Sequence, residues 1–272
     1  MVLKPAPDTP WCAALVGKVI AEETDFPPGV INIVTSSDHA LGAQLATDPR
    51  VDIVSFTGST ATGKKVMAAA SESLKKVFLE LGGKSAFIVL DDADLASACS
   101  MAAFAVVTHA GQGCAITTRL LVPRSKLDEA IAITRDSLAG LAAGDPTDSG
   151  TICGPVISAA QRQRVESYIE LARSEGGTIE IGGGRPVGRD KGFFVEPTLI
   201  SGLDNTSRVA QEEIFGPVLV IIPHDGDDDA IRIANDSPYG LSGQVWGTDE
   251  DRINKVVNGV RTGTMAINGG IW

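Results

Sequence analysis

Leu79-Glu80-Leu81-Gly82-Gly83-Lys84-Ser85 and, farther on, Gly111-Gln112-Gly113-Cys114 are the stretches on which the reading of this chain turns. The first sets a carboxylate beside a tight glycine turn. The second sets a thiol just past a predicted helix. A thiolate attacks a carbonyl carbon to give a covalent intermediate, and a nearby carboxylate can activate the water that releases it. Neither stretch is decisive alone. A Glu beside Gly-Gly is commonly a solvated turn residue, and a Cys among small residues is commonly packed and inert. What flanks them carries more. Residues 77–81 read as extended and residues 86–90 as an apolar strand, so the glycine pair joins two strands.

Upstream, the pattern alternates. Val2-Leu3-Lys4 reads as a buried strand. Thr9-Pro10 reads as a helix cap with proline at the first helical position, and the helix runs to about residue 23. A strand is predicted over 30–34, a short helix over 40–46 and a strand over 51–56. A loop over 58–63 precedes a helix that runs to about residue 70. Downstream the alternation continues. Asp91-Asp92-Ala93-Asp94 caps a helix of small residues over 95–109, with Leu120-Leu121-Val122 a strand and 126–141 a helix. A long loop over 144–157 leads to a helix over 159–175 and a strand over 178–181. Residues 182–192 form an exposed glycine-rich loop, and 193–198 are extended. Strands at 217–222, 243–246 and 264–267 enclose helices at 228–235 and 249–258. Strand and helix in alternation predict an α/β fold, a parallel sheet with helices on its faces. Two domains are expected, 1–80 and 81–272. The chain runs from an uncapped strand to Gly270-Ile271-Trp272, just after another, so both ends are expected to be cuts.

Composition removes several classes. At 272 residues, with 43% hydrophobic and 21% charged residues, the chain is of ordinary globular composition and long enough for one large or two modest cores. A net charge of −11 disfavours nucleic acid as a partner. No apolar run reaches the length of a membrane span, and Pro5, Pro7 and Pro10 break any leader-like apolar segment. Cys12, Cys99, Cys114 and Cys153 lack metal-ligand spacing, so no metal is expected. They read as reduced thiols of a cytoplasmic protein.

Two further stretches suggest ligand contacts. In Phe56-Thr57-Gly58-Ser59-Thr60-Ala61-Thr62-Gly63-Lys64-Lys65 a strand feeds a glycine loop and then a helix, whose first N–H groups favour an anion such as a phosphate. The match to a nucleoside-triphosphate loop fails at Lys65, where Ser or Thr is needed, and the GxGxxG fingerprint is absent. A plain strand-to-helix turn stays open. Gln211-Glu212-Glu213-Ile214-Phe215-Gly216-Pro217 sets two acids and an aromatic ahead of a buried strand. A carboxylate there could hold ribose hydroxyls and the aromatic could lie against a flat ring, or the stretch is only a helix end. Lys4 could reach a hydroxyl or a phosphate. His109, five residues before Cys114, would allow a Cys/His hydrolase, but no Asn or Asp partner is designated.

Residues 79–85, 111–114, 56–63 and 212–217 together resemble the signature blocks of the aldehyde dehydrogenase superfamily, in that family's order and near its spacings. Residues 91–95, Tyr239-Gly240-Leu241-Ser242 and Gly263-Thr264 match as well. The resemblance implies a partial, Rossmann-like cofactor domain over 1–80 and an α/β catalytic domain over 81–272. It implies that Cys114 attacks an aldehyde, that hydride passes to NAD, and that Glu80 activates the water that hydrolyses the thioester. Gly58 and Ser59 would meet the pyrophosphate, Lys4 the adenosine ribose, Glu213 the nicotinamide ribose and Phe215 the ring, with Leu81 also at the cofactor. Pro7 stands where many members carry a Glu that favours NAD, so NADP stays open. Members of the family are longer at both ends. The missing parts would include a strand-end Asn for the oxyanion and subunit-bridging strands, and the full-length form is expected to be a homo-oligomer. A second reading is a truncated, catalytically silent chain that binds only nucleotide or a partner.

Overall fold

The two strands that flank Gly82-Gly83 belong to different sheets. In the computed structural model, which describes residues 1–270, the chain divides at that pair into two units, Met1–Leu81 and Gly82–Trp272. Ile271 and Trp272, which close the expected cut end, lie outside the described residues.

The first unit runs β1 (Val2–Leu3), α1 (Pro10–Glu23), β2 (Asn32–Ile33), α2 (Ala40–Thr47), β3 (Ile53–Thr57), α3 (Thr60–Ser71) and β4 (Lys76–Glu80). β1 pairs with β2 and β3 with β4, both parallel, as two separate ladders. The strand expected over 30–34 shrinks to two residues. Val2 and Leu3, expected to be buried, are 49% and 39% exposed, because a two-residue ladder is too narrow to cover its own strands. α3 begins earlier than the expected end of the 58–63 loop. Ser59 Oγ accepts the Thr62 N–H at 3.2 Å and so caps the helix three residues before Gly63 is reached. Gly63 lies inside α3, where a Cβ would stand 2.5 Å from Leu81 Cδ2. Its absence lets the helix close on Leu81.

The second unit runs β5 (Ser85–Val89), α4 (Leu95–Val107), β6 (Thr117–Pro123), α5 (Leu127–Ala139), α6 (Ala159–Ser174), β7 (Thr178–Ile181), β8 (Thr198–Ser201), α7 (Arg208–Gln211), β9 (Val218–His224), α8 (Asp227–Asn235), β10 (Ser242–Trp246), α9 (Glu250–Gly259) and β11 (Thr264–Ile267). Its strands form one sheet in the order β11-β10-β5-β6-β9-β8-β7. The neighbours are parallel, as expected, except β7 and β8, which run antiparallel at one edge. No helix lies between those two strands, and a parallel return needs a crossover. The expected extension over 193–198 becomes a strand only from Thr198. Before it, Phe193 O and the Glu196 N–H bond to Val156 and Gly184, not to a ladder. α7 was not legible as a helix; Ser207 Oγ caps it by accepting the Ala210 N–H.

The central strands are apolar on both sides because both faces are covered. Side chains alternate across the sheet. Ala86 and Ile88 of β5, Leu121 of β6 and Val218, Val220 and Ile222 of β9 join the core shared with α6, α8 and α9. Phe87, Val89, Leu120, Val122, Leu219 and Ile221 join the opposite core, against α4 and α5. The small residues Ala98, Cys99, Ala102 and Ala103 are the buried stripe of α4.

Candidate active site

Parallel strands send all their amino ends to one edge of a sheet. β10, β5, β6 and β9 are consecutive neighbours, so the segments that enter them, 239–241, 82–84, 112–116 and 213–217, converge there. Open α/β sheets usually bind ligands beyond the carboxyl ends of their strands. In the second unit the sequence-singled motifs gather at the opposite edge. In the first unit they lie at the carboxyl ends: Gly58 and Ser59 follow β3, Glu80 ends β4, and Lys4 follows β1.

Gly82 and Gly83 are glycines for proximity, not for a turn. Neither adopts a positive φ. A Cβ on Gly82 would land on the carboxylate of Glu213, and one on Gly83 would stand 2.5 Å from the Cys114 carbonyl oxygen. The Gly83 N–H donates to Glu213 Oε1 at 3.1 Å. One glycine pair therefore joins the segments of Cys114 and Glu213.

Cys114 is a half-buried free thiol in the loop before β6. The helix ahead of it ends at Val107, earlier than expected, because His109 and Ala110 turn to φ of 52° and 53° before Gly111 at 72°. Left-handed non-glycine residues are strained and persist only where packing fixes them. Here Gly111 presses on the Gly216 carbonyl so closely that a Cβ would overlap it. Gln112 adds two ties: its Nε2 donates to His109 O at 3.2 Å and its Oε1 accepts the Ile157 N–H at 2.9 Å. His109 is exposed and contributes its carbonyl; among the described residues no hydrogen bond joins its ring to Cys114.

The two adjacent acids have different partners. Glu212 accepts from Arg208 and from the Tyr168 hydroxyl, and the Arg208 guanidinium holds its carboxyl below the ordinary value. Glu213 is half-buried, and burial raises its carboxyl; the Gly83 N–H, Arg164 and Lys84 act against that rise. α6 clamps the backbone that carries it. Arg164 Nη2 donates to Glu213 O at 2.6 Å, and Gln161 Nε2 donates to Ile214 O at 3.1 Å and to Phe215 O at 2.7 Å. Phe215 has φ 63° and is 36% exposed. The helix period of α6 is legible in sequence, but the carbonyls its polar side chains hold are not.

In the first unit, Glu80 is half-buried and its carbonyl accepts the Gly58 N–H at 3.0 Å, tying the ends of β3 and β4. Gly58 is exposed, and a Cβ there would stand 2.6 Å from the Phe56 ring. Leu81 is half-buried against Gly63. Lys4 bends back so that Nζ donates to Pro5 O at 2.8 Å. Among the described residues no group of three or more His, Cys, Asp and Glu side chains could hold a metal, and no helix is long and apolar enough to cross a membrane.

This arrangement has close counterparts. The sequence model of the aldehyde dehydrogenase family matches residues 1–272. Geranial dehydrogenase of Castellaniella defragrans is 44% identical over 269 residues, which are 99% of this chain and 55% of that protein. The crystal structure of a Mycobacterium tuberculosis aldehyde dehydrogenase complexed with NAD+ superposes with a TM-score of 0.96 at 48% identity, covering 100% of this chain and 56% of its own. A cysteine-to-alanine mutant of aldehyde dehydrogenase C from Pseudomonas syringae, complexed with NAD+ and octanal, superposes with a TM-score of 0.97 at 39% identity, covering 100% and 56%. The chain thus spans a little over half the length of the relatives it matches. The match of the family model along the whole sequence and the close superposition place this chain in the aldehyde dehydrogenase family.

Proposed function

We propose that the chain carries the cysteine chemistry of an NAD(P)-dependent aldehyde dehydrogenase, with the first unit as part of a dinucleotide-binding domain and the second as the catalytic domain. The observation that carries this reading is the double role of Gly83. It donates to the Glu213 carboxylate and abuts the Cys114 carbonyl, which sets a half-buried acid and the backbone that carries the thiol around one residue.

The residues fit a dinucleotide. Gly58 is exposed and lacks a Cβ, and Ser59 caps the twelve-residue helix α3, whose first N–H groups suit a pyrophosphate. Lys4 serves the adenosine ribose. Glu213 serves the nicotinamide ribose, with Phe215 against the ring and Leu81 beside the cofactor. When bound, NAD supplies the hydride acceptor. NADP is not distinguished, since Pro7 offers no acid to repel a phosphate at the 2′ position of the adenosine ribose.

Cys114, as thiolate, attacks the aldehyde carbon and forms a C–S bond; the carbonyl oxygen takes the negative charge. Loss of hydride from that carbon restores the C=O bond and leaves a thioester on Cys114. Glu80 takes a proton from water, the hydroxide adds to the thioester, and the C–S bond breaks to release the acid and the thiolate. Relatives named for geranial or solved with octanal support an aldehyde as the substrate class.

A second reading, a catalytically silent chain, is favoured by α1. None of its residues is buried, and Trp11 and Leu15 are 84% and 61% exposed. Reduction of NAD or NADP by the purified chain with a panel of aldehydes separates the two. Turnover that Cys114→Ala abolishes supports the enzyme; a folded chain without turnover supports the silent reading.

A further inference from the structure

Lys84 follows the glycine pair and is 1% exposed, and its ammonium has no hydrogen-bond partner. A buried cation without a partner is costly. The lining of a cavity of about 20 Å³ includes Lys84 with Ser85, Arg119, Tyr239, Ser242, Arg261 and Thr262. That volume holds about one water-sized particle. Thr262 brings a second orphan, since its buried hydroxyl also lacks a partner.

The neighbouring donors are already engaged. Arg119 donates to Lys84 O, Asn205 Oδ1, Ile233 O and Ala234 O, at 2.7 to 3.0 Å. Arg261 Nη2 donates to Ser237 O, and Ser242 Oγ donates to Ala115 O and pairs with the Ser85 hydroxyl. Of the lining, the buried polar side-chain atoms left without a partner are the Lys84 ammonium and the Thr262 hydroxyl. Three cationic side chains line the cavity and, among the described residues, no carboxylate does. The geometry points to a binding site for a monatomic anion of the chloride class, held by Lys84 Nζ with Thr262 Oγ1. An anion accepts from both donors and needs no acceptor in return.

The surrounding charges agree. Burial, with the repulsion of Arg119, brings the Lys84 amine down to about 7, and Arg164 adds to the fall while Glu213 and Glu212 act against it. A bound anion would add to the second group and keep the amine charged near neutral pH. Tyr239, also in the lining, has its phenol raised by burial and adds no negative charge.

Chloride itself is the probe. The intact chain is crystallised from sodium chloride and the map is collected at a long wavelength, where chloride scatters anomalously and water does not. Thermal midpoints are measured in sodium chloride and in sodium gluconate at equal ionic strength, for wild type, Lys84→Met and Thr262→Val. An anomalous peak in the cavity is expected, with a midpoint roughly 2–4 °C higher in chloride. That rise should vanish in Lys84→Met and shrink in Thr262→Val, which stands in if the first variant does not fold. A cavity that holds only water, or a chloride-dependent rise that both variants retain in full, overturns the proposal.

Discussion

The Glu213 carboxylate accepts the backbone N–H of Gly83 at 3.1 Å, across 130 residues of sequence. The bond explains why two glycines stand together. Gly82 gives the carboxylate room, and Gly83 supplies the donor while abutting Cys114. Their substitutions should fail differently. In Gly82→Ala the obstacle is the end of a flexible side chain, so Glu213 moves aside. Cofactor affinity falls about tenfold or more and the thermal midpoint changes little. In Gly83→Ala the obstacle is the backbone of Cys114, and overpacking costs about 1–3 kcal/mol. That lowers the midpoint by roughly 2–10 °C. Calorimetry and a fluorescence titration with reduced cofactor distinguish the two.

Glu213 also sets a pH signature. Burial raises its carboxyl, so the folded state prefers the protonated form. The stability this group confers is present below its unfolded value and is lost as pH rises through the raised one. Glu213→Gln should therefore stabilise the fold at neutral pH while weakening cofactor binding, and the gain should fade on acidification. Urea unfolding across pH 4 to 8 measures it.

Lys84 gives the opposite signature. Its amine is lowered to about 7 from 10.5, so below that pH the folded state holds a charge that the unfolded chain solvates better. In chloride-free buffer the wild type should gain a few kcal/mol as pH rises from 7 towards 9.5, since the unfolded state binds the extra proton. Lys84→Met should lack that rise. Denaturant midpoints at several pH values, measured for both, are the check.

The four thiols should separate by reactivity. Cys99 and Cys153 are fully buried, and burial pushes both thiols up to about 11. Cys12 is exposed and Cys114 half-buried. Brief alkylation of the native chain at neutral pH should modify Cys12 and Cys114 and spare the other two, as peptide mass spectrometry would show. With Cys12→Ser in place, labelling should fall on Cys114 alone and abolish turnover. Activity that survives full modification of Cys114 would remove it from the chemistry.

Much of the fold was legible because burial repeats with a fixed period. Ala86-Phe87-Ile88-Val89-Leu90 reads as an apolar strand, and its alternate side chains do enter two cores. The acidic run 91–94 reads as a helix start, and Asp94 caps α4 through the short side-chain acceptor that helix starts require. Contacts set by distant residues were not legible. The glycine pair looks like a turn in sequence, but what demands it is Glu213, far along the chain. That residues 193–197 join no ladder follows from bonds to other loops. Arg119 looks anomalous in an apolar strand until its four carbonyl and amide acceptors are seen. The clamp of Gln161 and Arg164 on residues 213–215 has no local signal, because backbone carbonyls carry no sequence identity.

The most direct test is pre-steady-state cofactor reduction by the intact chain, followed at 340 nm with excess aldehyde and cofactor, for wild type, Cys114→Ala and Glu80→Gln. Wild type should turn over steadily. Cys114→Ala should give no reduced cofactor, and Glu80→Gln should give a burst near one equivalent per chain and then stall, with an acyl adduct on Cys114 in the intact mass. Steady turnover in Cys114→Ala, or a Glu80→Gln variant that neither stalls nor accumulates the adduct, would contradict the proposed roles.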